Sequence, residues 1–228
     1  THRYQEIPSS LWNFNEKTSI LTVRSDFGEL EIDYTPPLDT DAIKRIVPIT
    51  NVNRNAKRKR PNDVLMSWKL FQDKLSEEDK SNTVLIMHTD PRDAEGPNLI
   101  ETATKLKIND TVMFSPDRVD FDQMNVLHNI TDVCLNIAFA EGFGLGTLEA
   151  MQTGNPIIAA KTGGLTRQVV DHRDGSENGV ALEIKTKSLV GSQNVPYIYE
   201  DYVDVGDTAD ALHKIFSMSK EDRKALSL

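Results

Sequence analysis

Glu141 and Glu149 bracket the run Glu141-Gly-Phe-Gly-Leu-Gly-Thr-Leu-Glu149, which follows an apolar strand-like segment and opens a short helical pattern. Gly142, Gly144 and Gly146 let the backbone pass close to a ligand and take positive φ. A helix beginning near Thr147 adds unsatisfied N–H groups and the positive end of its dipole, so the run suits an anion. A carboxylate on each side accepts hydrogen bonds from paired hydroxyls. A ligand with a diphosphate in the middle and hydroxyls at both ends, such as a nucleoside diphosphate sugar, meets all of these groups. Upstream, the basic run Lys57-Arg58-Lys59-Arg60 follows a strand-like segment over 46–52. By composition it reads as a solvated loop or a nuclear-localisation-like patch, and its place after a strand turns it towards a ligand.

The segment Glu141 to Met151, EGFGLGTLEAM, resembles the donor site of retaining glycosyltransferases of the GT-B type, glycosyltransferase family 4 in particular. The resemblance implies that Glu141 binds hydroxyls of the donor sugar and Glu149 those of the ribose. Gly142, Phe143, Gly144, Leu145, Gly146 and Thr147 would line the sugar and diphosphate through their amides. Arg54 and Lys59 resemble the family's diphosphate-holding arginine and lysine, with Lys57 or Arg58 as alternatives for the second cation. Two fixed cations would stabilise the leaving diphosphate, so that no metal or other cofactor is expected. Gly154, Pro156 and the Gly163-Gly164 turn resemble the segment that follows the acidic motif. The chain departs from that pattern at Ala138, where relatives carry Ser, and at Thr166-Arg167, where they carry Pro-Glu.

The 228 residues, 38% hydrophobic and 27% charged, suffice for one large domain, and no apolar run approaches the length of a membrane span. A net charge of −9 disfavours nucleic acid as a partner. The expected location is cytoplasmic. Cys134 is the single cysteine, expected as a buried and inert thiol.

Apolar runs over 46–52, 83–88, 111–114, 132–139 and 156–160 alternate with helical patterns, which predicts an α/β fold: a Rossmann-like parallel sheet flanked by helices. Val64, Leu65, Trp68, Phe71 and Leu75 recur at helical spacing, with Asn62 or Asp63 as cap, and Met124, Leu127 and His128 mark another crossover helix. Asp207 is the expected cap of a later helix. In such sheets ligands sit beyond the carboxyl ends of the strands, and Arg54, Lys59, Glu141 and Gly163 all follow strands. The loops at 88–92 and 115–118 would border the nucleobase or sugar.

Residues 1–45 read as a β-hairpin over 19–24 and 29–34 with a Pro36-Pro37 linker, a remnant of or connection to an acceptor domain, and residues 46–228 as the donor-binding domain. By resemblance, transfer to an acceptor hydroxyl of a glycan, lipid or protein needs a further N-terminal acceptor domain, so the chain alone is expected to bind donor and transfer poorly. Two other readings stand beside this one: a nucleotide-sugar binding module without turnover, and a GT-B epimerase or phosphorylase.

Overall fold

The computed structural model describes residues 47–226 and the strand segments 12–15, 20–25 and 28–33. The chain divides into two compact units, Thr1–Ile46 and Val47–Leu228. In the first, β1 (Trp12–Asn15), β2 (Ile20–Ser25) and β3 (Gly28–Asp33) form an antiparallel sheet in that order. The β2–β3 register runs from Ile20↔Asp33 to Ser25↔Gly28, which is the hairpin expected from sequence; β1 is an addition to it. The Pro36-Pro37 linker lies outside the described residues.

The second unit is a six-stranded sheet in the order β6-β5-β4-β7-β8-β9, every pair parallel. Its strands are β4 (Val47–Val52), β5 (Thr83–His88), β6 (Val112–Ser115), β7 (Val133–Asn136), β8 (Ile157–Ala160) and β9 (Gly179–Leu182). The chain winds outward from β4 through β5 to β6, then returns to the other side of β4 and winds outward through β7 and β8 to β9. The crevice between β4 and β7, where the winding reverses, is the place such sheets bind ligands.

Alternation along the strands serves two faces. Val133, Leu135, Ile158 and Ala160 join a core with Val64, Leu65, Trp68 and Phe71 of α1 (Pro61–Gln72) and Leu212 and Ile215 of α7 (Val205–Phe216). Cys134, Ile157 and Ala159 face the other way, onto Ala150 of α5 (Leu145–Gln152) and Leu165 and Val169 of α6 (Leu165–Val169). Cys134 is 2% exposed, and burial pushes its thiol up to about 12, in keeping with an inert side chain. Between these helices along the chain run α2 (Glu77–Ser81), α3 (Leu99–Leu106) and α4 (Phe121–Asn129), and α8 (Lys220–Ala225) comes last.

Local chemistry moves several expected boundaries. Helix α1 begins at Pro61, whose fixed φ suits the first helical position, so Arg60 rather than Asn62 or Asp63 is its N-cap residue. Asp204 caps α7 by accepting from the amides of Gly206 and Asp207, taking the role expected of Asp207. In α4, Asp120 and Gln123 form a capping box, and the turn this sets buries Val126 and His128 instead of Met124 and Leu127. Strand β7 stops at Asn136, short of the expected 139, because the next amides leave the ladder: Ala138 donates to the Asn136 side chain and Phe139 to the Arg58 carbonyl. Strand β9 and the hairpin of β10 (Thr186–Val190) and β11 (Ile198–Tyr202) are absent from the sequence reading.

Candidate functional site

Immediately after β4 the chain makes a 3-10 turn, Lys57–Lys59, that leans across the switch point until the Arg58 carbonyl accepts from the Phe139 amide, 2.9 Å away, beyond β7. Arg60 ends the turn at φ 55°, a left-handed conformation that strains a non-glycine residue. Several contacts hold it there. Its Nε donates to Asp63 at 2.8 Å and its Nη2 to the Val203 carbonyl at 3.1 Å, while the guanidinium lies over the rings of Phe139 and Tyr202.

The turn separates three cations that are equivalent in sequence. Lys57 and Arg58 are exposed, whereas Lys59 is buried and its Nζ pairs with Glu141 Oε2. The side chains of this pair are 9% and 11% exposed, so a cation from the loop after β4 and a carboxylate from the loop after β7 meet in the crevice, largely out of water. Lys59 is therefore the cation that reaches Glu141.

Arg54 leaves the end of β4 in another direction. Its Nε donates to Asp93 Oδ2 at 2.8 Å and its Nη1 lies 3.0 Å from Glu95, both on the loop after β5, with 59% of the side chain exposed. The guanidinium hydrogen bond, helped by the Glu95 amide, holds the Asp93 carboxyl below its ordinary range. Arg54 thus stands at the same strand ends as Lys59, with its guanidinium on neighbouring carboxylates and not on Glu141. A cleft of about 370 Å³ opens beside this pair, lined by Lys57, Arg60, Asn62, Asp63, Glu95 and Phe139 among others.

The acidic loop enters α5 through Gly144, which has φ 91° and caps the helix without a side-chain hydrogen bond. Leu148 is the first residue whose amide bonds back, to the Gly144 carbonyl at 3.1 Å, so the amides of Leu145, Gly146 and Thr147 precede the helical ladder. The Thr147 side chain is not part of the lining: it is buried and its hydroxyl accepts from Asn136 at 3.1 Å. Phe143 and Leu145 stand out from the lip of the loop, 55% and 66% exposed.

The glycines divide by what surrounds them. A Cβ at Gly142 would meet none of the described residues within 4 Å, whereas one at Gly163 would fall 2.0 Å from the Glu141 carbonyl oxygen. At Gly164 it would come within 2.6 Å of the carbonyl oxygens of Gly142 and Phe143, and the Gly164 amide donates to Glu141 at 3.0 Å. The missing side chains of Gly163 and Gly164 are used against the acidic loop, pressing it onto the turn after β8. Gly142 faces open space.

Glu149 lies on the second turn of α5, 39% exposed at its side chain, with Oε2 3.6 Å from Nε2 of the buried His128. His88 sits at the end of β5 with Nδ1 2.8 Å from the Ser115 hydroxyl, and burial lowers its pKa. The β10–β11 hairpin reaches the same strand ends: the Asp201 amide donates to the Phe139 carbonyl at 2.9 Å, and Thr162 donates to the Asp201 carboxylate at 2.8 Å. Sequence reasoning missed Arg60, Phe139, Asp93 and His128. The signal for Arg60 was its place directly before the helix-starting Pro61; the others carry none that is local.

Comparison with known proteins places this geometry. The profile of the family described as Glycosyl transferases group 1 matches residues 47–190. A D-inositol 3-phosphate glycosyltransferase of Salinispora arenicola is 37% identical over 78 residues, covering 34% of this chain and 17% of the relative. The D-inositol 3-phosphate glycosyltransferase 2 of Catenulispora acidiphila is 29% identical over 144 residues, covering 58% of this chain and 34% of the relative. The chain thus spans about a third or less of the length of these relatives. In three dimensions it is similar to WaaG, a glycosyltransferase involved in lipopolysaccharide biosynthesis, with a TM-score of 0.59 at 19% identity, over 80% of this chain and 41% of that one. The six-stranded parallel sheet has the architecture of a GT-B C-terminal domain, and the chain belongs to the glycosyl transferases group 1 family.

Proposed function

We propose that residues 46–228 form the donor-binding half of a retaining glycosyltransferase, taking a nucleoside diphosphate sugar and passing its glycosyl group to an acceptor hydroxyl held by a further domain. The observation that carries this reading is the Lys59–Glu141 pair in the β4/β7 crevice, beside the uncapped N terminus of α5. The helix end and Lys59 attract a diphosphate. Glu141, held by Lys59, accepts from sugar hydroxyls, and Glu149 from the ribose.

In the transfer step the bond between the anomeric carbon and the phosphate oxygen breaks, a bond from the same face of that carbon to the acceptor oxygen forms, and the acceptor's proton passes to the departing diphosphate. Negative charge develops on that diphosphate. Lys59, the α5 amides and Arg54, once its guanidinium moves from Asp93 to phosphate, stabilise it without a metal. Glu141 positions the sugar and does not attack it. The acceptor is a glycan, lipid or protein hydroxyl.

The test is thermal unfolding with UDP, GDP and ADP sugars, each measured with and without EDTA. At a hundredfold excess over Kd, one base class should raise the midpoint by roughly 5–10 °C. No shift with any of them overturns the donor-site reading, and a shift abolished by EDTA overturns the metal-free form of it. Product anomers from the enzyme completed with its acceptor domain decide retention.

A further inference from the structure

His128 is 1% exposed, and neither of its ring nitrogens has a hydrogen-bond partner among the described residues. Leaving a buried imidazole unpaired is unfavourable, and an apolar side chain of similar size would avoid the cost. The backbone there is pinned, because the His128 carbonyl accepts from the Thr131 hydroxyl at 3.0 Å and from Asn155 Nδ2 at 2.5 Å. The charged acceptor beside the ring is Glu149, whose Oε2 lies 3.6 Å from Nε2, within ion-pair range and beyond hydrogen-bond length. Glu149 is itself only partly covered, its side chain 39% exposed, so part of its carboxylate stays open to solvent while Oε2 faces the ring.

We propose that His128 is a positioning residue for Glu149: the Nε2–H of the neutral imidazole donates to one carboxylate oxygen and leaves the other to accept from the ribose hydroxyls. This rests on the reading of Glu149 as the ribose-binding carboxylate. Burial lowers the pKa of His128 and nearby His88 adds to the effect, against the opposing pull of Glu149, so the ring is the neutral donor the arrangement needs. A neutral donor orients the carboxylate without cancelling its charge, and Glu149 remains a strong acceptor. A small closure of the 3.6 Å gap on ligand binding makes the hydrogen bond. His128 thereby acts on discrimination between ribose and sugars lacking those hydroxyls while touching neither.

The experiment measures calorimetric affinity of the full chain for UDP, GDP and ADP and for their 2′,3′-dideoxy counterparts, in wild type, Glu149→Ala, His128→Leu and His128→Gln. For the base that binds, wild type should favour the ribonucleotide by about tenfold or more, and Glu149→Ala should bring the ratio near one. His128→Leu should lower the ratio at least threefold while dideoxynucleotide affinity stays within twofold, and His128→Gln, which keeps an N–H, should recover part of it. If His128→Leu keeps the wild-type ratio while Glu149→Ala loses it, the positioning role is overturned and the ribose role of Glu149 stands. A Glu149→Ala ratio equal to wild type, or no binding of any nucleotide, overturns both. If His128→Leu does not fold, His128→Phe, which fills the site with a ring that has no N–H, decides by the same ratio: unchanged overturns the proposal, reduced supports it.

Discussion

Lys59 and Glu141, 82 residues apart in sequence, form an ion pair that joins the loops on either side of the β4/β7 switch point. Removing one member of a nearly buried pair strands the other, at a cost of about 2–4 kcal/mol for a pair this deep. Lys59→Met should therefore lower stability by about that much, and adding Glu141→Gln should restore at least half. Urea unfolding of both single variants and the double variant checks this. Neither the single nor the double variant should bind nucleoside diphosphate sugar at wild-type affinity.

Arg54 separates stability from binding. Its ion pairs with Asp93 and Glu95 are made by a side chain 59% exposed and screened by solvent, so Arg54→Ala should leave the urea midpoint close to the wild-type value. If Arg54 moves onto the diphosphate, the same variant should lose about tenfold or more in donor affinity. Calorimetry beside urea unfolding measures the two effects, and unchanged affinity removes Arg54 from the site.

Gly142 and Gly164 make opposite predictions. At Gly164 an added Cβ meets two carbonyl oxygens at 2.6 Å, so Gly164→Ala should displace the acidic loop and cost about 1–3 kcal/mol, measured as a lower unfolding midpoint. Gly142→Ala has room and should leave the midpoint unchanged, yet weaken donor binding if the ligand passes close to that backbone.

Burial lowers the pKa of His88 and of His128 below the ordinary 6.5. The unfolded chain therefore binds more protons than the native one just below pH 6.5, and stability falls on acidification through that window until the native imidazoles protonate. Above it these groups contribute no slope. Urea midpoints at pH 7.5 and 5.5 should show the drop, and His128→Gln should reduce it without abolishing it, because His88 remains.

Much of the fold was legible along the chain, and so was the loop that carries Glu141 and Glu149. The strand-like runs near 46–52, 83–88 and 156–160 fold as strands because apolar runs of that length bury both faces of a parallel sheet, and the glycine loop with its two glutamates lies within a single turn and helix. Interactions between near neighbours decide such features, so composition and spacing carry them. The β10–β11 hairpin was not legible, since Thr186–Val190 and Ile198–Tyr202 form a two-stranded sheet apart from the parallel one and show little of the buried alternation that marks a core strand.

The choice among Lys57, Arg58 and Lys59 belongs to tertiary structure. The three are chemically similar neighbours, and what turns Lys59 inward is a 3-10 turn held by the Phe139 amide and by Arg60, whose left-handed backbone is secured by groups at positions 63, 139, 202 and 203. The same holds for Arg54 on Asp93 and for His128 beside Glu149. Residue types and short spacings determined that a glycine-rich loop with two carboxylates follows a strand of an α/β sheet. Which cation faces which carboxylate depended on contacts closed across the fold, because a charge finds its partner by proximity in space, and distance along the chain does not encode it.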